Sequence, residues 1–383
     1  MSVPHRSGGV RVKLPRPNQR PPCHRNGVNR FLAARLCLAF VVLAIAASCS
    51  SEEGDAPAPA PPHTPNAENG GRLYGETCAL CHGAKGEGYV ADNATALRTT
   101  TFLSSASDDF LRRSIARGRP KTTMSAWGTA KGGPYNDDDI SDIVAFIRTW
   151  QTEPSVTLVE YPRSGDRKVA ESLYAARCAS CHGPSGVEGP YVRTANPEFL
   201  TVATDGFLRY ALYLGRPGTL MKPYEGDLTH AEMDTLVALM RSRAIPVEDV
   251  PALIPTTVGP FVLHPDGPEP SFTPGQRFTS VDVVHQELVN GAAFGILDAR
   301  APSDYVTSHI AGAADVPFYQ AEEYLYALPK DKWLVAYCGC PHAESGALMD
   351  KLLANGFTKV TILDEGFNVW NDRGYPVNVG AAP

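Results

Sequence analysis

Cys78-Ala79-Leu80-Cys81-His82-Gly83 is followed, one hundred residues on, by Cys178-Ala179-Ser180-Cys181-His182-Gly183. Each hexapeptide has Leu-Tyr four residues before its first cysteine, as Leu73-Tyr74 and Leu173-Tyr174. Downstream, Gly118-Arg119-Pro120 leads to Met124 and Gly215-Arg216-Pro217 leads to Met221, each Met four beyond its Pro. The offset has shrunk to 97, as a tandem duplication with a small deletion requires. Both copies close on a stretch with apolar residues at helical spacing. These are Ile140, Ile143, Val144 and Ile147 in one, and Met233, Leu236, Val237 and Met240 in the other. Two small all-α units follow, over residues 67–151 and 165–243.

The flanks read differently. Residues 1–48 hold eight of the 35 basic residues and no acid, so the remaining 27 stand against 41 acidic residues. That balance argues against a nucleic-acid partner, which needs clustered Lys and Arg. Arg30 and Arg35 precede an apolar run, Leu36 to Ala47, too short to span hydrocarbon, and small residues lead into Cys49. This pattern resembles a bacterial lipoprotein signal, which implies a lipid on Cys49. The alternatives are an ordinary cleaved signal or an uncleaved anchor. The length before Val28 points to translation starting near there. Residues 49–66 form a Pro/Ala-rich tether, and residues 244–276 a Pro-rich linker. After the linker, Gly295–Asp298, Trp333–Tyr337 and Lys359–Leu363 read as buried parallel strands, with a helix at Ser345–Ala354. The fold class is therefore multidomain, with two helical units ahead of an α/β domain over residues 277–379.

The cysteines decide the chemistry. Two thiols one helical turn apart can bond the two vinyl groups of a porphyrin as thioethers, and the adjacent His then faces the iron. Zinc needs four closed ligands, and each unit offers two Cys and one His. A redox CxxC expects a βαβ setting, which these helical surroundings do not supply. Cys78, Cys81, Cys178 and Cys181 are thus expected to hold two covalent haem c groups, with His82 and His182 on the irons. Met124 and Met221 lie in Gly/Pro loops rather than on apolar helix faces, so they are the candidate sixth ligands. Met233 and Met240 fall on the core stripe. Asp137, Asp138 and Asp139 after Asn136 read as a capped helix start rather than a docking patch.

On these residues, 67–151 and 165–243 resemble class I cytochrome c domains. The resemblance implies a crossing of first and last helices with a Gly and aromatics at the contact. Gly70, Tyr74, Phe146 and Trp150 fill those places in the first unit. The second unit has Ala170 for the Gly and Leu239 for an aromatic, so its crossing should be looser. The resemblance also implies a Pro carbonyl behind the iron-bound His. Pro190 is placed to serve His182, while His82 must use another backbone carbonyl. His/Met ligation closes the iron, which implies electron transfer rather than oxygen or peroxide chemistry.

Residues 277–379 resemble a rhodanese (sulfurtransferase) domain, through Leu297-Asp298-Ala299-Arg300, Ser308-His309-Ile310-Ala311-Gly312-Ala313 and Asp364-Glu365-Gly366-Phe367. The resemblance puts a reactive loop at Cys338–Ala343, where backbone N–H groups would favour a persulfide on Cys338. Cys340 is the candidate resolving thiol. No Lys or Arg occurs from Cys338 to Gly346, and Glu344 is expected to add a negative charge, which disfavours phosphate and weakens thiosulfate. Asp298, Arg300 and His309 are expected to be scaffold.

Three readings follow. One is an envelope electron carrier, lipid-anchored and periplasm-facing, working with a terminal oxidase or quinol-oxidising complex and sulfur compounds. Another is a sulfurtransferase or persulfide-oxidising enzyme using Cys338, with the haems as electron acceptors. In the third, the last domain is a non-catalytic docking module.

Overall fold

The computed structural model describes residues 62–91, 93–160, 165–244, 259–339 and 342–383. Cys49, the signal, most of the tether, and Cys340 lie outside the described residues. No helix among the described residues is long and apolar enough to cross a membrane.

The first helical unit runs α1 (Ala67–Glu76), α2 (Ala79–His82), α3 (Thr100–Ser105), α4 (Asp108–Arg117) and α5 (Asp137–Arg148). Asn66 caps α1, and Asn136 with Asp139 forms a capping box on α5, so the acidic run there is a helix start. Ile140, Ile143, Val144 and Ile147 are buried, as their spacing requires. Helices α1 and α5 cross at Gly70. A Cβ on Gly70 would lie 1.9 Å from the Asp142 carbonyl oxygen, so only glycine permits this approach. Around the crossing, Tyr74 packs on Phe146 at 5.4 Å and on Trp150 at 5.2 Å between ring centroids. Buried Asp142 completes the joint, accepting hydrogen bonds from the Asn66 backbone at 2.7 Å and Asn69 Nδ2 at 2.8 Å.

The second unit repeats the plan with α6 (Arg167–Arg177), α7 (Ala179–His182), α8 (Pro197–Val202), α9 (Asp205–Leu214) and α10 (His230–Ser242). Thr229 and Glu232 reproduce the capping box, and Met233, Leu236, Val237 and Met240 are buried. The crossing is sparser, with buried Ala170 in place of the glycine. Leu239 is buried, but the partner on Tyr174 is a cation: the Arg243 guanidinium stands 4.3 Å from its ring. One lock is common to both units. Arg148 donates to the Leu103 and Ala106 carbonyls and pairs with Asp108, and Arg241 does the same with Leu200, Ala203 and Asp205.

The two units meet across a pseudo-symmetric face. Phe110 stacks on Phe207 at 4.8 Å, with Phe102 and Phe199 edge-on. The Arg119 guanidinium lies over Phe110 and Phe199, and Arg216 lies over Phe102 and Phe207. Glu198, 5 % exposed, accepts three hydrogen bonds from Arg117 across the joint. The segment between the units is a strap, not a free linker. Val156 donates to Ser104 of the first unit, and Glu160 accepts from Gly206 of the second.

The third domain contains β1 (Phe278–Thr279), α11 (Val281–Val289), β2 (Phe294–Asp298), α12 (Pro302–Thr307), β3 (His309–Ile310), β4 (Ala314–Asp315), α13 (Ala321–Tyr324), β5 (Trp333–Tyr337), α14 (Ala343–Ala354), β6 (Val360–Leu363), α15 (Gly366–Asp372) and β7 (Val377–Asn378). A parallel sheet runs in the order β1-β6-β5-β2-β4, and β3 pairs antiparallel with β7. Strands β2, β5 and β6 are buried along their length, as their unbroken apolar runs demand. One boundary moves. Residues 259–276, expected as linker, pack on this domain: Leu263 N donates to Phe294 O, and Phe272 is buried against Phe294 and Trp333. The apolar anchors between the prolines explain the difference.

Candidate functional site

In the first unit Cys78 caps α2, and the helical turn carries Cys81 and His82 onto one side. Gly83 ends the turn with φ +81°, and Tyr74 Oη donates to its carbonyl at 2.8 Å, fastening α1 to the motif. His82 Nδ1 donates to Thr95 O at 2.8 Å, leaving Nε2 as the imidazole's ligand atom. Burial lowers the His82 pKa, which favours the neutral, metal-binding form, and pushes the Cys78 thiol up to about 11. In the second unit Cys178 stands at the same cap, its thiol also pushed up to about 11 by burial. His182 Nδ1 donates to Val192 O at 2.7 Å, and burial lowers its pKa too. The carbonyl is not that of Pro190. The chain passes behind His182 two residues later.

The methionine loops are near copies. Gly118 and Gly215 end α4 and α9 at φ +60° and +61°, where an added Cβ would strike the backbone beside Met124 or Met221. Arg119 N donates to Met124 O, and Arg216 N to Met221 O, both at 2.8 Å. Thr122 Oγ1 donates to Arg119 O at 2.7 Å and accepts from Met124 N at 3.1 Å. Thr219 makes the same pair with Arg216 and Met221 at 2.8 and 3.1 Å. Thr122 and Thr219 were not singled out from sequence, although Gly-Arg-Pro-x-Thr-x-Met recurs in both units and is the signal that finds them. Met124 and Met221 are both part-buried and pack on the apolar core.

The donor set suits a covalent haem. Each unit brings two thiols one turn apart, an imidazole fixed through Nδ1, and a thioether in a hydrogen-bonded loop. Among the described residues, no three His, Cys, Asp or Glu side chains gather as a metal cluster.

In the third domain Cys338 follows β5, 1 % exposed, with its Sγ 3.3 Å from Ser345 Oγ at the start of α14. His342 caps α14 in the left-handed region (φ +79°), stacked on Phe278 at 4.1 Å with Nε2 2.8 Å from Asp364 Oδ1. Phe367 N and Asn368 Nδ2 bind the Cys338 and Gly339 carbonyls at 2.9 Å each. Arg300 is spent on Asp298 (2.6 and 2.9 Å) and stands 4.4 Å from the Phe367 ring, and His309 Nδ1 is bound to Tyr305 O, so these residues are scaffold. One expectation fails. Glu344 is buried, and burial, then the nearby Cys338 charge, holds its carboxyl well above the usual range, which works against the negative charge expected of it. A cation that the loop sequence lacks comes from outside it: Arg277 flanks Gly346, paired with Asp350 at 2.8 Å.

The rhodanese-like domain also touches the first unit, close to Gly339. A Cβ on Gly339 would lie 3.4 Å from Thr123 Cγ2, Ser125 Oγ donates to Asp304 Oδ2 at 2.5 Å, and Trp127 packs on Phe318 and Tyr319. Helix α14 packs against α2.

Family models match three segments: "Cytochrome c" over residues 67–151, "Cytochrome C oxidase, cbb3-type, subunit III" over 166–240, and "Rhodanese-like domain" over 280–373. The dihydro-heme d1 dehydrogenase of Pseudomonas aeruginosa is 28 % identical over 44 % of this chain and 34 % of its own length. The cbb3-type oxidase subunit CcoP of an Azospirillum is 27 % identical over 33 % and 46 %. The thiosulfate dehydrogenase of Psychrobacter arcticus is 30 % identical over 22 % and 25 %. The chain thus spans less than half the length of each of these relatives. The chain therefore contains cytochrome c domains, which imply covalently bound haem c, and a C-terminal rhodanese-like domain.

Proposed function

We propose that the protein carries two haem c groups and passes electrons between partners of the bacterial cell envelope. Cys78 and Cys81 form the thioethers of the first and Cys178 and Cys181 those of the second. His82 with Met124, and His182 with Met221, supply the axial ligands. The bound group contributes one-electron storage at each centre. The polypeptide supplies the rest. Thr95 O and Val192 O orient the imidazoles, Thr122 and Thr219 fix the methionine loops, and the aromatic joint holds the units together. The observation that carries this reading is the twofold recurrence of the same Met-loop hydrogen-bond pattern, down to the threonine two residues before each Met.

The likeness to a cbb3-type oxidase subunit and to a thiosulfate dehydrogenase supports a terminal oxidase and sulfur compounds as partners. A lipid on Cys49 would hold the chain at the periplasmic side of a membrane. Replacing Met124 or Met221 by Ala should leave the haem count at two and open one centre to external cyanide. A variant that binds no more cyanide than the parent would contradict that assignment.

A second reading is favoured by the contacts of Ser125 with Asp304 and of Trp127 with Phe318 and Tyr319, which bring the rhodanese-like domain against the first unit's Met loop. The last domain would accept sulfane sulfur on Cys338, with the cytochrome domains as electron acceptors. Cys338→Ser should then abolish cyanide-dependent sulfur transfer and slow haem reduction by polysulfide. Unchanged reduction leaves the rhodanese-like domain as a docking module.

A further inference from the structure

The loops that leave the two haem-binding turns carry the same pair of side chains. Tyr89-Val90 follows Cys81-His82, and Tyr191-Val192 follows Cys181-His182. Each loop is hung from the second cysteine of its turn. The Cys81 carbonyl accepts from Val90 N at 3.3 Å, and the Cys181 carbonyl accepts from Tyr191 N at 3.3 Å. The two rings meet across the joint between the units, edge to face, with 6.3 Å between centroids and 77° between planes. Arg193 and Asn196, just beyond Tyr191, donate to the Lys121 and Pro120 carbonyls and seat this stretch on the first unit. Tyr89 holds φ +60°, a left-handed backbone that strains a bulky residue and that glycine adopts freely. Its side chain is 41 % exposed, so core packing does not demand it. A strained residue kept where a smaller one would relax points to what its side chain does, and this one reaches Tyr191.

We propose that the Tyr89–Tyr191 pair is the bridge for electron exchange between the two centres. This rests on the reading that Cys81 and Cys181 each carry a thioether to a haem. The bridge runs from the Cys81 peptide through its hydrogen bond to Val90, and along one peptide to Tyr89. It crosses the ring contact to Tyr191, whose own N–H returns it to the Cys181 peptide. Every link is a covalent bond, a hydrogen bond or a ring contact, and electron tunnelling decays far less over such links than across an empty gap. One electron moves. One centre is oxidised as the other is reduced, no bond forms or breaks, and both tyrosine hydroxyls keep their protons. The larger stack at the joint, Phe110 on Phe207, hangs from α4 and α9 instead. That stack holds the units together, and the tyrosine pair connects their haem-binding turns.

The test uses the full-length protein reduced by one electron per molecule. NMR exchange between haem methyl signals, followed to low concentration, gives the intramolecular rate. Tyr89→Gly removes the ring and the strain together. We expect its rate to fall at least tenfold while its thermal midpoint is no lower than the parent's. A residue that merely tightened the joint would lower the midpoint when lost. Tyr89→Phe and Tyr191→Phe keep the ring and should exchange at the parent's rate. In the fully reduced parent, nuclear Overhauser effects should join the two rings. An unchanged rate in Tyr89→Gly, a fall with a lower midpoint, a fall shared by the Phe variants, or rings without mutual contacts overturns the proposal. If Tyr89→Gly does not fold, Tyr191→Leu takes its place, and an unchanged rate there overturns it. A chain that weighs with only one haem removes the two-centre reading and the bridge with it, which mass shows before any rate is measured.

Discussion

The two cytochrome units were built to one plan and then put to different uses. In the first, α1 and α5 touch through Gly70 and an aromatic trio, and the Met loop is covered by the rhodanese-like domain. In the second, Ala170 and the Arg243–Tyr174 contact hold a looser crossing, and Leu220 beside the Met is bare. The hydrogen-bond frame of the Met loop is kept, as is the arginine lock on the closing helix. What must hold a ligand has been kept, and what meets a neighbour has changed.

The largest effect should come from the crossing. Gly70→Val drives a side chain into the Asp142 carbonyl and is expected to cost about 3 kcal/mol or more, unfolding the first unit. Ala170→Gly should cost about 1 kcal/mol in the second. Thermal melts of each variant against the parent would show both. If Gly70→Val is tolerated as well as Ala170→Gly, the contrast between the crossings fails.

A titration sharpens the other half of the comparison, the domain against which the first unit's Met loop rests. Burial, then the charge of Asp298, pushes the Asp315 carboxyl up to about 8 from its ordinary value of 3.8. An acid with a raised folded-state pKa stabilises most fully below its unfolded value, and the advantage is lost as pH rises through the folded value. The rhodanese-like domain should therefore lose stability between about pH 4 and about pH 8. The slope from this group is at most about 1.4 kcal/mol per pH unit. Asp315→Asn should flatten that slope in denaturant midpoints measured across the range.

Smaller effects follow at the joint and in the loops. Glu198→Gln breaks the bidentate pair with Arg117 and is expected to cost about 1–3 kcal/mol, seen as a lower midpoint for the two units together. If the units melt independently in the parent protein, the joint is not cooperative. Lys121 lies at φ +62° where the second unit has Gly218 at φ +83°. Lys121→Gly should be neutral or stabilise by up to about 1 kcal/mol, whereas glycine replacing an ordinary exposed residue usually destabilises.

Much of this was legible in the chain. The repeated Cys-x-x-Cys-His-Gly and Gly-Arg-Pro-x-x-x-Met stretches place both sites, and Ile140, Ile143, Val144 and Ile147 write the closing helix at helical spacing. Such local signals need no partner to be read. The joint between the units was not legible, because Arg119 over Phe199 or Arg117 on Glu198 joins residues about eighty apart with nothing in either stretch to name the other. The same reason hid the carbonyls behind the histidines, Thr95 and Val192. Glu344 shows the limit for charge: burial, then the nearby Cys338, raises its pKa, and the sequence displays neither. Residues 259–276 show it for composition, since prolines spelled linker while Phe272 found a core.

Weighing the intact, denatured mature chain after expression with a working haem-ligation system tests the account at its root. Two haem masses should remain attached, falling to one when Cys78 and Cys81, or Cys178 and Cys181, are replaced by Ser. A chain that keeps one haem or none, with all four thiols intact, would contradict it.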